Sequence, residues 1–301
     1  MQSWRPSTQR QYSSYNKQDK NPYSPTPVLL IEFLTQLYDE GFGYSALNSA
    51  RCAVSSLCVD CSSVGQHTLI KRFFRGVFNL RPSLPRYTST WDTNIVLAYL
   101  EKLKTNTLRA LTFKVATLLA LLAGQRVQSL SLLDIEFMTK SDQSYVFKIT
   151  DLVKQSRPGY HISDLTYPAF PSNPKLCIVR LLEIYTRCTQ PLRKTSKLLI
   201  TLLKPHTAAS KETISRWIKS VLQLAGIDIN KFKPHSVRSA STSAAKRTST
   251  PLVTIMKTAG WSRASTFATY YNKPITAPEQ FANNILHNFQ SEKLTVDNDG
   301  E

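Results

Sequence analysis

The sequence predicts a mainly α-helical protein with one small antiparallel β-sheet, arranged in two domains. Three observations lead there. Apolar residues recur at three- and four-residue steps along most of the chain, the mark of helices with one buried face. Alternation of apolar and polar residues is confined to a single stretch, from Ile135 to about Ser163, which reads as short strands. Between the helical runs lies Arg81-Pro-Ser-Leu-Pro-Arg-Tyr87, whose two prolines and two arginines make a natural linker. At 301 residues the chain is long enough to bury two cores. The expected division is a helical domain over residues 1–84, a larger domain over 85–290, and an acidic, disordered tail over 291–301.

The elements follow in order. A Pro-Ser-Thr cap signal opens a helix over residues 4–16. After a break at 22–27, residues 28–38 carry apolar side chains at helical spacing and stop at Gly41. Helices over 44–57 and 67–80 come next; the second sets Lys71, Arg72 and Arg75 beside Phe73 and Phe74. Beyond the linker, helices are expected at about 91–103, 106–123 and 126–133. The sheet has turn signals at Ser141-Asp142 and Arg157-Pro158-Gly159. Helices return at 175–188, 210–225, 235–247, 251–259 and 264–272. After Pro274, residues 277–289 place Phe281, Ile285 and Phe289 at four-residue steps, an amphipathic helix.

Lys and Arg number 38 against 20 Asp and Glu, a net charge of +18 that points to a polyanionic partner. The charge is spread along the chain, which favours a folded binding surface over a polybasic tether. No run approaches the ~20 apolar residues of a membrane span. The polar start, Met1-Gln-Ser-Trp-Arg-Pro-Ser-Thr-Gln-Arg10, lacks the apolar centre of a signal peptide. Five scattered cysteines, Cys52, Cys58, Cys61, Cys177 and Cys188, fit reduced thiols. Cys58, Cys61 and His67 hint at zinc, but a fourth ligand is missing nearby.

The chemistry is concentrated in four segments. Lys233-Pro-His-Ser-Val-Arg238 places a His and an Arg one helical turn apart, able to hold two oxygens of a phosphate. Trp261 follows Arg238 by 23 residues, and Tyr270 and Tyr271 follow the Trp by nine and ten. A tyrosine brought to the same phosphate is a covalent nucleophile. Leu121-Leu-Ala-Gly-Gln-Arg126 puts an arginine just past an apolar helix, where burial calls for an anionic partner. Asp151-Leu-Val-Lys154-Gln-Ser-Arg-Pro-Gly159 is a basic turn after a strand. Asp134, Asp151 and Asp164 are separated by strands and turns, so no carboxylate cluster for a metal is expected.

The ordered series Arg126, Lys154, His235, Arg238, Trp261 and Tyr270 or Tyr271 resembles the catalytic set of the tyrosine recombinases, the phage-integrase family. Within it, Gly-Gln-Arg-Val-Gln-Ser-Leu, Lys-Gln-Ser-Arg-Pro-Gly and Trp-Ser-x-x-Ser-Thr-Phe look most like recombinases of DIRS-type retrotransposons and related eukaryotic elements. The resemblance runs from about Trp4 to Pro274. It implies a helical core-binding domain and an α+β catalytic domain clamping double-stranded DNA, with cleavage and rejoining through a 3′-phosphotyrosine and no cofactor. Arg126 and Arg238 would clamp the scissile phosphate. Lys154 would protonate the leaving 5′ oxygen, a role for which Lys148 is a weaker candidate. His235 would bond a phosphate oxygen and relay the tyrosine proton, while Trp261 would donate its indole N–H. The bacterial spacing selects Tyr270 and the retrotransposon-type spacing Tyr271. Helical periodicity from Phe267 favours neither, and Tyr271 is preferred. Lys71, Arg72, Arg75, Arg157 and Lys233 are the expected DNA-binding cations.

Exchange between two duplexes needs four nucleophiles, one per protomer, so a homotetramer on DNA is expected. The helix over 277–289 packs on its own domain or, as the resemblance implies, docks into a neighbouring protomer. The resemblance also implies a nuclear location if the protein is eukaryotic, otherwise a cytoplasmic one. One departure is Ser129, where many relatives carry an acid. It keeps open the alternative of a non-catalytic, co-opted DNA-binding remnant. A type IB topoisomerase is a more distant alternative, disfavoured by the chain's modest length.

Overall fold

The computed structural model describes residues 24–58, 64–83, 87–154 and 156–275. The expected helices over 4–16 and 277–289, the acidic tail, Cys61 and the middle of the linker lie outside them. The chain divides into two compact units, Met1–Pro85 and Arg86–Glu301.

In the first unit α1 (Pro27–Asp39) begins where Thr26 accepts a hydrogen bond from the Leu29 amide at 3.2 Å and Pro27 takes a position that needs no N–H donor. It ends at Gly41, whose φ of +94° suits glycine. α2 (Tyr44–Leu57), a 3₁₀ turn (Val64–Gln66) and α3 (Thr68–Leu80) complete the described part. Leu30, Leu34 and Leu37 of α1 meet Leu47, Ala50 and Val54 of α2 and Ile70, Phe74 and Val77 of α3 in one core. Truncating one such leucine to alanine costs about 2–5 kcal/mol. Lys71, Arg72 and Arg75 lie on the solvent side of α3. His67 caps α3 by accepting from the Leu69 amide at 3.3 Å, a role separate from metal binding. Cys52, Cys177 and Cys188 are free, whereas Cys58 is disulfide-bonded, which departs from the expectation of reduced thiols throughout.

The second unit is built around α5 (Leu108–Ala123), which follows α4 (Thr93–Lys102) and is buried on nearly every side from Leu111 to Leu121. A helix buried on nearly every side must be central. α7 (Ile178–Thr189), α8 (Lys211–Leu224) and α9 (Ser236–Arg247) pack on it. Short α6 (Val127–Ser131) follows α5, and α10 (Leu252–Ala259) and α11 (Ala264–Tyr270) follow α9. Two glycines set the corners that matter for the site. Gly124 ends α5 at φ +54°, where a Cβ would meet Thr242 of α9 at 3.0 Å, and Gly260 ends α10 at φ +71°.

The sheet is antiparallel in the order β1 (Met138–Lys140), β2 (Ser144–Phe147), β3 (Leu165–Pro168). Thr139 faces Val146, and Tyr145 faces Tyr167. Ser141 turns the first hairpin, its amide bonding the Ser144 carbonyl at 2.8 Å. The third strand lies beyond the alternating stretch that ends near Ser163. Four residues ending in a proline leave too short a pattern to mark a strand; β2 supplies the pairing that makes it one.

Candidate active site

Three junctions of the second unit bring the predicted residues together. α9 starts at His235, and its entry is fixed by Trp91, whose indole N–H donates to Ser236 Oγ at 2.8 Å. One turn on, Arg238 is only 1% exposed and donates from Nη2 to the Ala259 carbonyl at 2.7 Å. Its guanidinium lies 4.4 Å from the Trp261 ring centroid and 5.2 Å from that of Tyr271, distances at which a cation is held by a ring face. The second junction is the α5–α6 corner, where Arg126 caps α6. Buried Gln125 beside it donates to the Thr258 carbonyl of α10 and accepts from Ser129 Oγ at 3.2 Å. Ser129 therefore braces the segment that carries Arg126.

The third junction is the end of α11. The rings of Tyr271 and Trp261 are 4.5 Å apart, and Tyr271 Oη lies 3.2 Å from His235 Nε2. The Tyr271 carbonyl accepts from Ser239 Oγ at 3.1 Å and from Ser243 Oγ at 2.6 Å. Tyr270 turns away and is 65% exposed.

The electrostatics of this cluster are one-sided. Of seven buried side-chain polar atoms without a hydrogen-bond partner among the described residues, four sit here: Arg126 Nη1, Arg238 Nε, Arg238 Nη1 and Trp261 Nε1. All four are donors, and an unpaired buried donor costs about 1–3 kcal/mol. Arg238 has its pKa pushed down to about 9 by burial and by the charge of Arg126, against an upward pull from Tyr271; it remains charged at neutral pH. His235 is pushed down to about 4 by desolvation first, then by the charges of Arg238, Arg126 and Lys154. Its outer edge is open to solvent, yet the ring stays neutral at pH 7. An anion with acceptor oxygens would answer every one of these unmet demands.

Lys154 stands on an exposed turn between β2 and β3, near enough for its charge to act on His235. The turn is braced from behind. Ser156 Oγ accepts from the Val153 amide at 3.0 Å and lies 2.7 Å from His161 Nδ1, while His161 Nε2 lies 2.6 Å from the Ile149 carbonyl. Lys197 holds Asp151 at 2.9 Å and Asp134 at 3.3 Å. The other predicted cations are not gathered into the cluster. Arg157 is exposed and stacks on Tyr160, with 5.0 Å from guanidinium to ring centroid. Lys233 is half-buried and donates to the Ile229 carbonyl at 3.2 Å. Lys71, Arg72 and Arg75 belong to α3 of the first unit. Sequence reasoning missed Gln125, Ser239 and Ser243. The serines' four-residue spacing in Ser239-Ala-Ser-Thr-Ser243 was the available signal for a shared helix face.

Among the described residues no helix is long and apolar enough to cross a membrane, and no group of three or more His, Cys, Asp or Glu is placed to hold a metal ion. No curated protein matches the chain. Its fold is similar to the Tn1549 transposon integrase in complex with transposon right end DNA, with TM-score 0.60 and 11% identity over 93% of this chain and 91% of that one. It is also similar to XerH site-specific recombinase bound to difH substrate, with TM-score 0.58 and 16% identity over 87% and 70%. A lambda integrase tetramer bound to a Holliday junction gives TM-score 0.55 and 14% identity over 90% and 73%. Residues 92–275, more than half of the chain and the whole of the cluster around Tyr271, match the phage integrase family, and the chain belongs to that family.

Proposed function

We propose that this protein cuts and rejoins double-stranded DNA through a tyrosine–phosphate bond, as a recombinase of a mobile element of the DIRS type or a related eukaryotic kind. The observation that carries the reading is the set of four partnerless donors beside a tyrosine hydroxyl that a neutral histidine touches at 3.2 Å. A phosphodiester brings the acceptor oxygens these donors lack. Arg126 and Arg238 take its non-bridging oxygens, and Trp261 Nε1 adds a donor, stabilising charge that grows as the phosphorus becomes five-coordinate. Tyr271 Oη attacks the phosphorus while His235 Nε2 accepts its proton. The bond from phosphorus to the 5′ oxygen breaks, and Lys154 supplies the proton to that oxygen. A 3′-phosphotyrosine and a free 5′-hydroxyl result. The reverse steps, with a 5′-hydroxyl from another strand, rejoin the DNA without ATP.

Double-stranded DNA is the partner, held in addition by Lys71, Arg72, Arg75, Arg157 and Lys233. Each copy carries one Tyr271, and exchange between two duplexes breaks four strands, so the working form on DNA is a homotetramer. The retrotransposon-like phrases support a nuclear location. A second reading, a DNA-binding protein that no longer cuts, is favoured by Ser129 in place of an acid; its bond to Gln125 supplies a brace there without a carboxylate.

A duplex nicked beside the cleavage point separates the two readings, because the short strand diffuses away and traps the covalent adduct. Wild-type protein should accumulate adduct in EDTA. Tyr271→Phe should abolish it with DNA affinity retained, and the solvent-facing Tyr270→Phe should keep most of it. Adduct formation by Tyr271→Phe would overturn the assignment, and wild-type protein that binds without adduct would establish the non-catalytic reading.

A further inference from the structure

Beyond Ser236, which accepts from Trp91, the hydroxyls of α9 and of its C-cap residue Thr248 fall into two groups. Ser241 and Thr242 bond back to the Arg238 carbonyl at 3.3 and 2.7 Å, and Thr248 bonds to Ala244 at 3.3 Å, the ordinary outlet for a hydroxyl on a helix. Ser239 and Ser243, one turn apart and 2% and 1% exposed, turn outward to a single distant acceptor, the carbonyl of Tyr271. Ser243 Oγ also accepts from the Lys273 amide at 3.0 Å. Tyr271 is where α11 ends, so its carbonyl has no helical donor of its own. Two buried hydroxyls occupy it instead. One residue past Lys273 the path is held again: the Pro274 carbonyl accepts from the Thr90 amide at 2.8 Å.

α11 has only seven residues, too few to be stable alone, and its packing is a small cluster of Ile255, Ala259, Trp261 and Phe267. External tethers therefore decide where its last residue lies. The tethers come from the helix that also carries Arg238 and begins at His235, so phosphate clamp, proton acceptor and tyrosine share one rigid element. We propose that Ser239 and Ser243 are positioning residues that lock the Tyr271 main chain, so that the tyrosine is preassembled against His235 before DNA arrives. This rests on Tyr271 being the nucleophile. With its carbonyl fixed, the side chain has only two torsions left to search, and the ring is already seated on Trp261. Orientation of this kind is worth most at the chemical step and little in DNA binding.

The test uses the full chain with Ser239→Ala/Ser243→Ala, labelled with 3-fluorotyrosine, the Tyr271 resonance being assigned by its loss in Tyr271→Phe. In wild-type protein without DNA that resonance should be single and displaced from the free-tyrosine position by the Trp261 ring. In the double variant it should broaden or move toward the free position. Single-turnover cleavage of the nicked duplex at saturating protein should fall roughly 10- to 100-fold, the loss of two hydrogen bonds at the reacting geometry, with duplex affinity unchanged. If the double variant does not fold, Ser239→Ala alone, which removes the longer bond, should show a smaller change of the same kind in both readouts. A Tyr271 resonance unmoved by the substitutions, with wild-type cleavage, would overturn the proposal. So would a wild-type resonance already at the free position without DNA. Absence of adduct from wild-type protein sinks the recombinase reading instead, and the fluorine signal still judges the clamp.

Discussion

α3 carries Lys71, Arg72 and Arg75 in water, whereas α9 and the α5–α6 corner carry Arg238 and part of Arg126 out of it. On α3 the cations lie opposite Ile70, Phe74 and Val77, so the helix buries its apolar face and leaves its charges solvated. Such charges cost the fold almost nothing. Solvated charges of this kind are suited to attracting a polyanion and releasing its counterions. Arg238 is in the reverse position. It is buried beside a second arginine, with two of its three nitrogens unpartnered, and no carboxylate is paired with it among the described residues. Keeping such a charge destabilises the free protein. Under the proposed function the difference separates charge that captures DNA from charge that awaits a single phosphate.

The largest effect that sharpens this contrast is expected from Arg238→Met, which keeps volume and removes the buried charge. Adduct formation should fall at least about 10²- to 10³-fold, while duplex affinity holds and the melting temperature of the free protein stays level or rises. A collapsed melting temperature would show that Arg238 is part of the fold's support, and the contrast would fail.

Lys154→Ala comes next, with cleavage slowed about 10²- to 10⁴-fold, the usual range for losing a proton donor. A substrate with sulfur at the bridging 5′ position should restore most of that rate, since a thiolate leaves without a proton. The same substrate should leave the Arg238 variant impaired. Equal rescue of both would mean the two cations do the same job.

On α3, Lys71→Ala/Arg72→Ala/Arg75→Ala should weaken duplex binding and make the slope of log affinity against log salt shallower by about 2–3. Cleavage by the bound complex should be unchanged. A slope equal to wild type would remove α3 from the DNA surface.

The smallest effect concerns pH. His235 titrates near 4 in the fold against an ordinary 6.5, so between those values the unfolded chain binds the extra proton. The contribution to stability is present above pH 6.5 and lost as pH falls toward 4. His235→Gln should flatten that part of the melting profile between pH 7 and 4.5. An unchanged profile would show that the ring is not held neutral by its surroundings.

Much of this protein is legible along the chain. The helices of both units follow from apolar spacing closed by caps such as Thr26, Thr107 and Gly124, and the order of Arg126, Lys154, His235 and Arg238 carries the family resemblance before any fold is known. These are local properties. A helix period reports which face is buried, and a charge reports what it attracts. Which of Tyr270 and Tyr271 lies against His235 belongs to the tertiary structure. Tyr271 is the residue that ends α11, with φ −124° and ψ −25°, so its side chain leaves the helical period that would have pointed it. Ser239 and Ser243 of α9 and the ring of Trp261 hold it there. β3 is a strand only because β2 pairs with it, and the unmet donors of Arg126, Arg238 and Trp261 exist only because α5, α9 and α10 close around them. Those contacts join residues tens to hundreds of positions apart, and packing decides them where periodicity is silent.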